Sequence, residues 1–406
     1  IGLVGLPAVA GLMLCAASLP AQGSRSVTVP VTLDHNRMLV QAEVQRRDGS
    51  WRTALLWIDT GNPNMMLSEA FARDLGIDVS GPPQVAGATT LTVPPPAGLR
   101  IGGMPLRLDS VTTKVHLEPQ WIFRTMHVDA NLPATVLQRY HVVFDYPRRQ
   151  LTLAQPGSLR PRGERAAASV NPVTGIVQID AVVGADTLSL ALDNGASYSF
   201  FSVGVLERLA RAHPAWPRAT GAVGAANIWG RWPEEATWPI VRVLEMQWGP
   251  VRLTDVAVVG LPDFFGDGVS LGDWYSRKAA RRVEGFLGPN ALMAFRVEID
   301  YAHGAVYFER GAAPDAHDLD IVGLTVQPQT DGSYRVVGVA GKDGRPSVEG
   351  VEPGDVLLEV GTLRVTGTTM GTVVDALRGT PGDVRTLVLE RAGRRIAVRA
   401  RVERFL

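Results

Sequence analysis

Leu55-Leu-Trp-Ile-Asp59-Thr-Gly61 and Leu190-Ala-Leu-Asp193-Asn-Gly195 are two apolar runs that each end in Asp-x-Gly. Each leads into a helix-like stretch, Ser68 to Leu75 with Gly76 as a stop signal in the first case and Val203 to Ala210 in the second. Further on, Leu99 to Val111 matches Met246 to Val256, each a strand, a tight Gly/Pro turn and another strand. A third block, Leu132 to Tyr146, aligns without a gap to Leu287 to Tyr301, and both copies end in Asp-Tyr (Asp145 and Asp300) before a turn and a last strand. Three matched blocks in one order define an internal repeat. The spacing predicts two β-rich lobes, residues 25–158 and 165–312, joined by the Pro-, Gly- and Arg-rich stretch Gln155 to Arg165.

An apolar strand ending in Asp-x-Gly places a carboxylate on a tight turn, and the glycine lets another chain approach closely. One such turn is weak, because Asp-Gly and Asn-Gly also make ordinary hairpins. Two in equivalent places of two repeated lobes carry more: a pseudo-twofold axis would set Asp59 and Asp193 side by side. Carboxylates that close share a proton and titrate as a pair. One then serves as base toward a water and the other as acid toward a carbonyl oxygen, with neither metal nor cofactor.

Asp59-Thr60-Gly61, Asp193-Asn194-Gly195-Ala196-Ser197 and the closing Leu287-Gly288 resemble the retropepsin/pepsin clan of aspartic peptidases, in a two-lobed bacterial form, over most of residues 50–310. The resemblance implies closed β lobes, a cleft between them, and peptide-bond hydrolysis by a water held between Asp59 and Asp193. Thr60, Gly61, Asn194 and Gly195 would support that pair. Two positions depart from the family: Asn194 stands where a Thr or Ser bonds across the lobes, and Pro133 stands where lobe two has Gly288. They keep a second reading open, a catalytically impaired bilobal protein that holds peptides. Carboxylates within reach of each other favour the enzyme; carboxylates pointing apart favour the binder. The Gly-rich stretch Thr220 to Arg231 is the flap candidate, with Trp229 to cover a substrate, and its lobe-one counterpart is Pro82 to Gly98. Most of the five tryptophans between Trp216 and Trp248 are read as packing.

Residues 320–406 resemble a PDZ domain of the bacterial, protease-linked type, most specifically in Gly350-Val-Glu-Pro-Gly-Asp-Val-Leu357. The whole chain is thus expected to be mainly β: two pepsin-like lobes followed by an α+β PDZ-like domain. Such a domain takes an extended peptide as an added strand and receives its carboxylate in a backbone nest. The matching positions are Gly332, Ser333, Tyr334 and Arg335 for the carboxylate loop and Val336 to Val339 for the pairing strand. Protein C-termini are therefore expected partners, beside the peptide substrate. The linker Gly311 to Asp318 is short, and the alternating arginines of Arg391 to Arg404 read as a solvated strand face.

Composition narrows the rest. Forty basic and 40 acidic residues leave no net field for nucleic acid, and 46% apolar residues suit a globular chain, expected to be monomeric. Ile1 to Ala21 is uncharged and apolar and closes on Leu19-Pro20-Ala21, which reads as an export signal to the periplasm or beyond. Cys15, the single cysteine, is a candidate for lipid attachment, although Leu14 stands where a small residue is expected. The seven histidines show no ligand spacing, so no metal is expected. Gly268-Val-Ser-Leu-Gly272 matches a nucleophile elbow but lacks the preceding strand, so Ser270 reads as a loop serine. Asp145 and Asp300 read as turn residues.

Overall fold

The computed structural model describes residues 25–81, 90–117, 121–262, 271–342 and 345–406. Residues 1–24, with Cys15 and the expected export signal, lie outside them, as do Pro82 to Thr89 of the lobe-one flap counterpart and Ser270. Among the described residues no helix is long and apolar enough to cross a membrane.

The chain is mainly β, and the repeat sets its architecture. In lobe one the apolar strand Trp51–Asp59 runs antiparallel to Arg37–Gln45 and parallel to Ala130–Pro133, with Asp59 opposite Pro133. In lobe two Asp186–Leu192 runs antiparallel to Val177–Val183 and parallel to Gly285–Leu287. Where they are bonded on both sides, at Leu56 and Trp57 and at Leu190 and Ala191, these strands are buried and apolar. The next strand of each lobe feeds a helix whose N-cap is a serine: Ser68 accepts from the Phe71 N–H and Ser202 from the Val205 N–H. The first helix, Glu69–Asp74, ends where Gly76 turns left-handed at φ 73°. The second copy of the hairpin is long, Pro239–Trp248 with Val251–Leu261, whereas the first is cut to Gly98–Ile101 with Met104–Pro105.

The third repeated block joins the lobes. His141–Asp145 and Phe295–Asp300 pair antiparallel at the centre of a six-stranded sheet. Gln150–Ala154 and Ala305–Arg310 flank them, and Ser26–Pro30 and Glu164–Ala167 form the edges, so the sheet reads alike from either side. Asp145 caps its turn through the Arg148 N–H and Asp300 through the His303 N–H, which are structural roles.

The C-terminal unit is a five-strand path, in the order Leu324–Pro328, Tyr334–Val339, Val356–Val360, Val384–Arg391, Arg394–Arg401, with the helix Met370–Leu377. Gly354, at φ 103°, makes the Pro-Gly-Asp turn into Val356–Val360. Two of the arginines read as a solvated face are committed instead. Arg391 grips the buried Asp355 with Nε and Nη2 at 2.7 and 2.8 Å, and Arg404 pairs with Asp320. The unit is also tied to lobe two. The end of the linker is anchored by Asp318, which accepts from Arg242 at 2.6 Å and from the Tyr198 hydroxyl. Gly341–Lys342 extends lobe two's own sheet beside Arg218–Thr220.

Candidate active site

Asp59 and Asp193 close equivalent strands and meet at the lobe boundary, Asp59 buried and Asp193 half-buried, lining one cleft of about 220 Å³. They do not point apart. A Cβ on Gly61 would overlap the Asp193 carboxylate, and a Cβ on Gly195 would overlap that of Asp59. Each glycine thus makes room for the other lobe's acid, which is why the turns must be Asp-x-Gly. Asp193 Oδ1 accepts the Gly195 and Ala196 N–H groups at 2.9 and 3.1 Å. Asp59 Oδ1 accepts the Gly61 N–H at 3.2 Å, while its Oδ2 accepts Asn131 Nδ2 at 3.1 Å.

Behind the carboxylates the lobes are bonded across. The Thr60 hydroxyl accepts the Asn194 N–H at 3.0 Å and donates to the Leu192 carbonyl at 3.0 Å. In return Asn194 Oδ1 accepts the Thr60 N–H at 2.9 Å. The amide oxygen therefore takes the accepting role that a hydroxyl takes in lobe one. Asn194 Nδ2 takes no part in this exchange and lies against the buried Tyr146 hydroxyl instead, so the exchange is reciprocal but unequal. Pro133 is accommodated without strain, because the backbone there has φ −82°, close to the value a proline ring imposes. At Gly288 the requirement is steric instead: a Cβ would overlap the backbone of Tyr198, and its N–H donates to Ser199 Oγ at 2.9 Å.

Burial pushes both acids up from the usual carboxylate range, and the charge of Asp193 raises Asp59 further. Arg37 opposes the rise in both. Two acids in this arrangement hold one proton between them over a range of pH.

Three residues outside the sequence motifs complete the site. Arg37, fully buried, donates through Nε to the Gly195 carbonyl at 2.6 Å and through Nη2 to the Ile228 carbonyl at 2.7 Å. The Tyr275 hydroxyl donates to the Gly61 carbonyl. The carbonyls of both turn glycines are therefore held, by unlike donors. Asn131 lies one residue before the repeated block, on the strand beside Asp59, and braces Met66 N–H with its Oδ1 at 2.7 Å. Nothing in residue type or spacing distinguishes such an arginine or tyrosine from an ordinary strand or helix residue. Asn131 could have been found as a polar residue in an otherwise apolar closing strand.

Trp229 reaches the cleft and packs on Phe200 at 5.4 Å and Trp232 at 5.1 Å. Trp216, Trp238 and Trp248 are buried packing residues, as expected. The stretch that bears Trp229 is not a loose hairpin over the cleft. Ala222, Val223, Ala226, Asn227 and Ile228 are buried, and Glu235 accepts from Asn227 Nδ2 and from the backbone of Arg231. Lys278 and His116 also line the cleft; burial lowers their pKa values to about 8 and about 4.

Of the C-terminal positions, Gly332 turns at φ 80° and bonds its carbonyl to the Gly367 N–H. The Ser333 N–H is taken by Asp331, and Tyr334 is buried with its hydroxyl on the Thr368 carbonyl. Tyr334 and Arg335 pair on both sides, with Leu324–Pro328 and with Val356–Val360, and the Val336 N–H donates to Asp355. That strand is interior over Tyr334 to Val336, so the first residue of the expected pairing stretch Val336 to Val339 lies inside the sheet. The edge of the sheet is Leu324–Pro328.

A larger hollow of about 460 Å³ between the helix Val203–Ala212 and Phe405 holds no paired acids. No protein family matches the chain, and no curated protein does. Among solved structures, the crystal structure of aspartic proteinase from Irpex lacteus is similar at a TM-score of 0.40 and 12% identity, over 72% of this chain and 99% of that chain.

Proposed function

We propose that the chain is an aspartic-type endopeptidase, hydrolysing peptide bonds with a water activated between Asp59 and Asp193. The observation that carries this is the reciprocal seating of the two carboxylates, each in the space above the other lobe's glycine. In the singly protonated pair, the ionised acid takes a proton from the water as its oxygen attacks the carbonyl carbon. The protonated acid gives its proton to the carbonyl oxygen. Collapse of the tetrahedral intermediate returns that proton to the pair, and the amide nitrogen leaves with the proton drawn from the water. The Thr60–Asn194 exchange supports the reading, because it keeps the two turns at a fixed separation without touching the reacting atoms.

Export is part of this proposal and rests on the apolar Ile1 to Ala21. So is binding of protein C-termini by the C-terminal unit, for which the edge strand Leu324–Pro328 is the better candidate than Val336 to Val339. Incubating the purified chain with a peptide library from acid to neutral pH tests the activity. Cleavage products appearing with a bell-shaped pH dependence are expected; intact peptides at every pH would contradict the proposal.

A further inference from the structure

The stretch Ala222 to Arg231 of lobe two lies in the C-terminal unit, between its edge strand and its helix. The edge strand Leu324–Pro328 turns its Val326 N–H outward, and Asn227 Oδ1 accepts it at 3.1 Å. A Cβ on Gly224 would sit 2.9 Å from Ile321 Cδ1 and 3.8 Å from Val374 on the helix Met370–Leu377. A Cβ on Gly230 would sit 3.0 Å from Pro328 and 3.6 Å from Met370. The Gln327 amide donates to the Arg231 carbonyl. Both glycines have left-handed φ, 58° and 59°, so the strap is bent and stripped of side chains where the groove walls close on it. Lobe one closes the helix end of the groove: Asp34 accepts the Gly371 N–H at 3.2 Å and the hydroxyl of its N-cap, Thr369.

The other side of the same strap is bonded to the turn of Asp193. Ser197 Oγ bonds the Ala225 and Ile228 carbonyls at 2.9 and 3.1 Å. Arg37 links the Ile228 carbonyl to the Gly195 carbonyl. Trp229, on the strap, is part of the cleft wall.

We propose that the C-terminal unit is a latch whose groove takes the chain's own residues 222–231 as an internal ligand, and that the seated strap positions the Asp193 turn and Trp229 for catalysis. Asn227 is then a positioning residue, acting through Ile228, Arg37 and Gly195 rather than on substrate. A protein C-terminus pairing with Leu324–Pro328 has to displace the strap, so it acts as an inhibitor. The catalytic half of this inference rests on the peptidase reading; the seating of the strap does not.

The test uses the full chain with Val326→Pro, which removes the one N–H at an edge position where proline is tolerated, with Asn227→Ala, and with the double variant. Val326→Ala, which keeps the N–H, measures the loss of the buried side chain alone. Hydrogen exchange of residues 195–198 and 222–231 reads the latch without any need for activity. Both single variants are expected to speed exchange in these two segments and to lower kcat roughly tenfold to 100-fold, since small misplacements cost that much, with KM little changed. Asn227→Ala also drops the bond to Glu235, so the double variant goes no further than Asn227→Ala, because the Asn227–Val326 bond is lost only once; Val326→Ala, which keeps that bond, disturbs both readouts less than Val326→Pro. Unchanged exchange in the two segments overturns the latch. Faster exchange with unchanged kcat overturns its catalytic role. A parent protein that cleaves nothing contradicts the peptidase reading while the exchange result still decides the latch. If Val326→Pro does not fold, Asn227→Ala is read at the Val326 N–H itself, which does not depend on the lost Glu235 bond: faster exchange there together with residues 195–198 supports the latch, and an unchanged Val326 N–H overturns it.

Discussion

The carboxylate of Asp193 occupies the space in which Gly61 would carry a Cβ, and Asp59 stands in the same relation to Gly195. Gly61→Ala and Gly195→Ala must therefore push a carboxylate out of place. Overpacking of this kind costs about 1–3 kcal/mol, and a displacement near 1 Å costs roughly 100-fold in rate. Both variants should fold, melt lower and lose activity about 100-fold or more; calorimetry and peptide cleavage check this.

Burial raises both dyad pKa values above those of the unfolded chain. The stability they contribute is fully present below the ordinary carboxylate pKa of about 4 and is lost as pH rises through the folded-state values. Asp193→Asn removes that pH-dependent loss. Its melting temperature should exceed the parent's by more at neutral pH than under acid conditions, and an unchanged difference across pH would count against a coupled buried pair.

Arg37 holds the Gly195 and Ile228 carbonyls and lowers the pKa of both acids by its charge. Arg37→Met leaves the Gly195 carbonyl without this donor, at a cost of about 1–3 kcal/mol, while the Ile228 carbonyl keeps the Ser197 hydroxyl. It also lets both dyad pKa values rise, so the pH at which one proton is shared moves upward. Residual activity should peak at a higher pH than in the parent, which a pH–rate profile measures.

Asn194 accepts the Thr60 N–H while its own Nδ2 lies against the buried Tyr146 hydroxyl. Asn194→Ala removes the acceptor and should cost about 1–3 kcal/mol. Asn194→Thr supplies a hydroxyl as the acceptor in its place, so it should be more stable than Asn194→Ala and keep its activity. Denaturant unfolding of the two variants separates these outcomes.

Much of the fold was legible because its repeat is written in patterns with direct physical causes. Buried strands need apolar runs, so Leu55 to Ile58 and Leu190 to Leu192 announce themselves, and Gly76 marks the end of its helix by its left-handed turn. The dyad was legible for the same reason, since only glycine fits beneath the opposing acid. Arg37 and Tyr275 were not, because a side chain that bonds a distant carbonyl leaves no local signature. The packing of the strap leaves no local signature, because glycine serves loose loops and tight contacts alike. Gly224 and Gly230 are small because Ile321, Val374 and Met370 crowd them, which depends on residues about a hundred positions away. In the C-terminal unit, Tyr334 to Val336 alternates like an edge strand, and only the pairing with Val356–Val360 reveals it as interior.

The central claim is tested most directly by measuring cleavage of one library-derived peptide by the parent and by Asp59→Asn and Asp193→Asn separately, each shown folded by its melting curve. The account predicts that either substitution alone abolishes turnover, because a neutral amide can neither share the proton nor accept one from water. Turnover near the parent rate in either folded variant would contradict it.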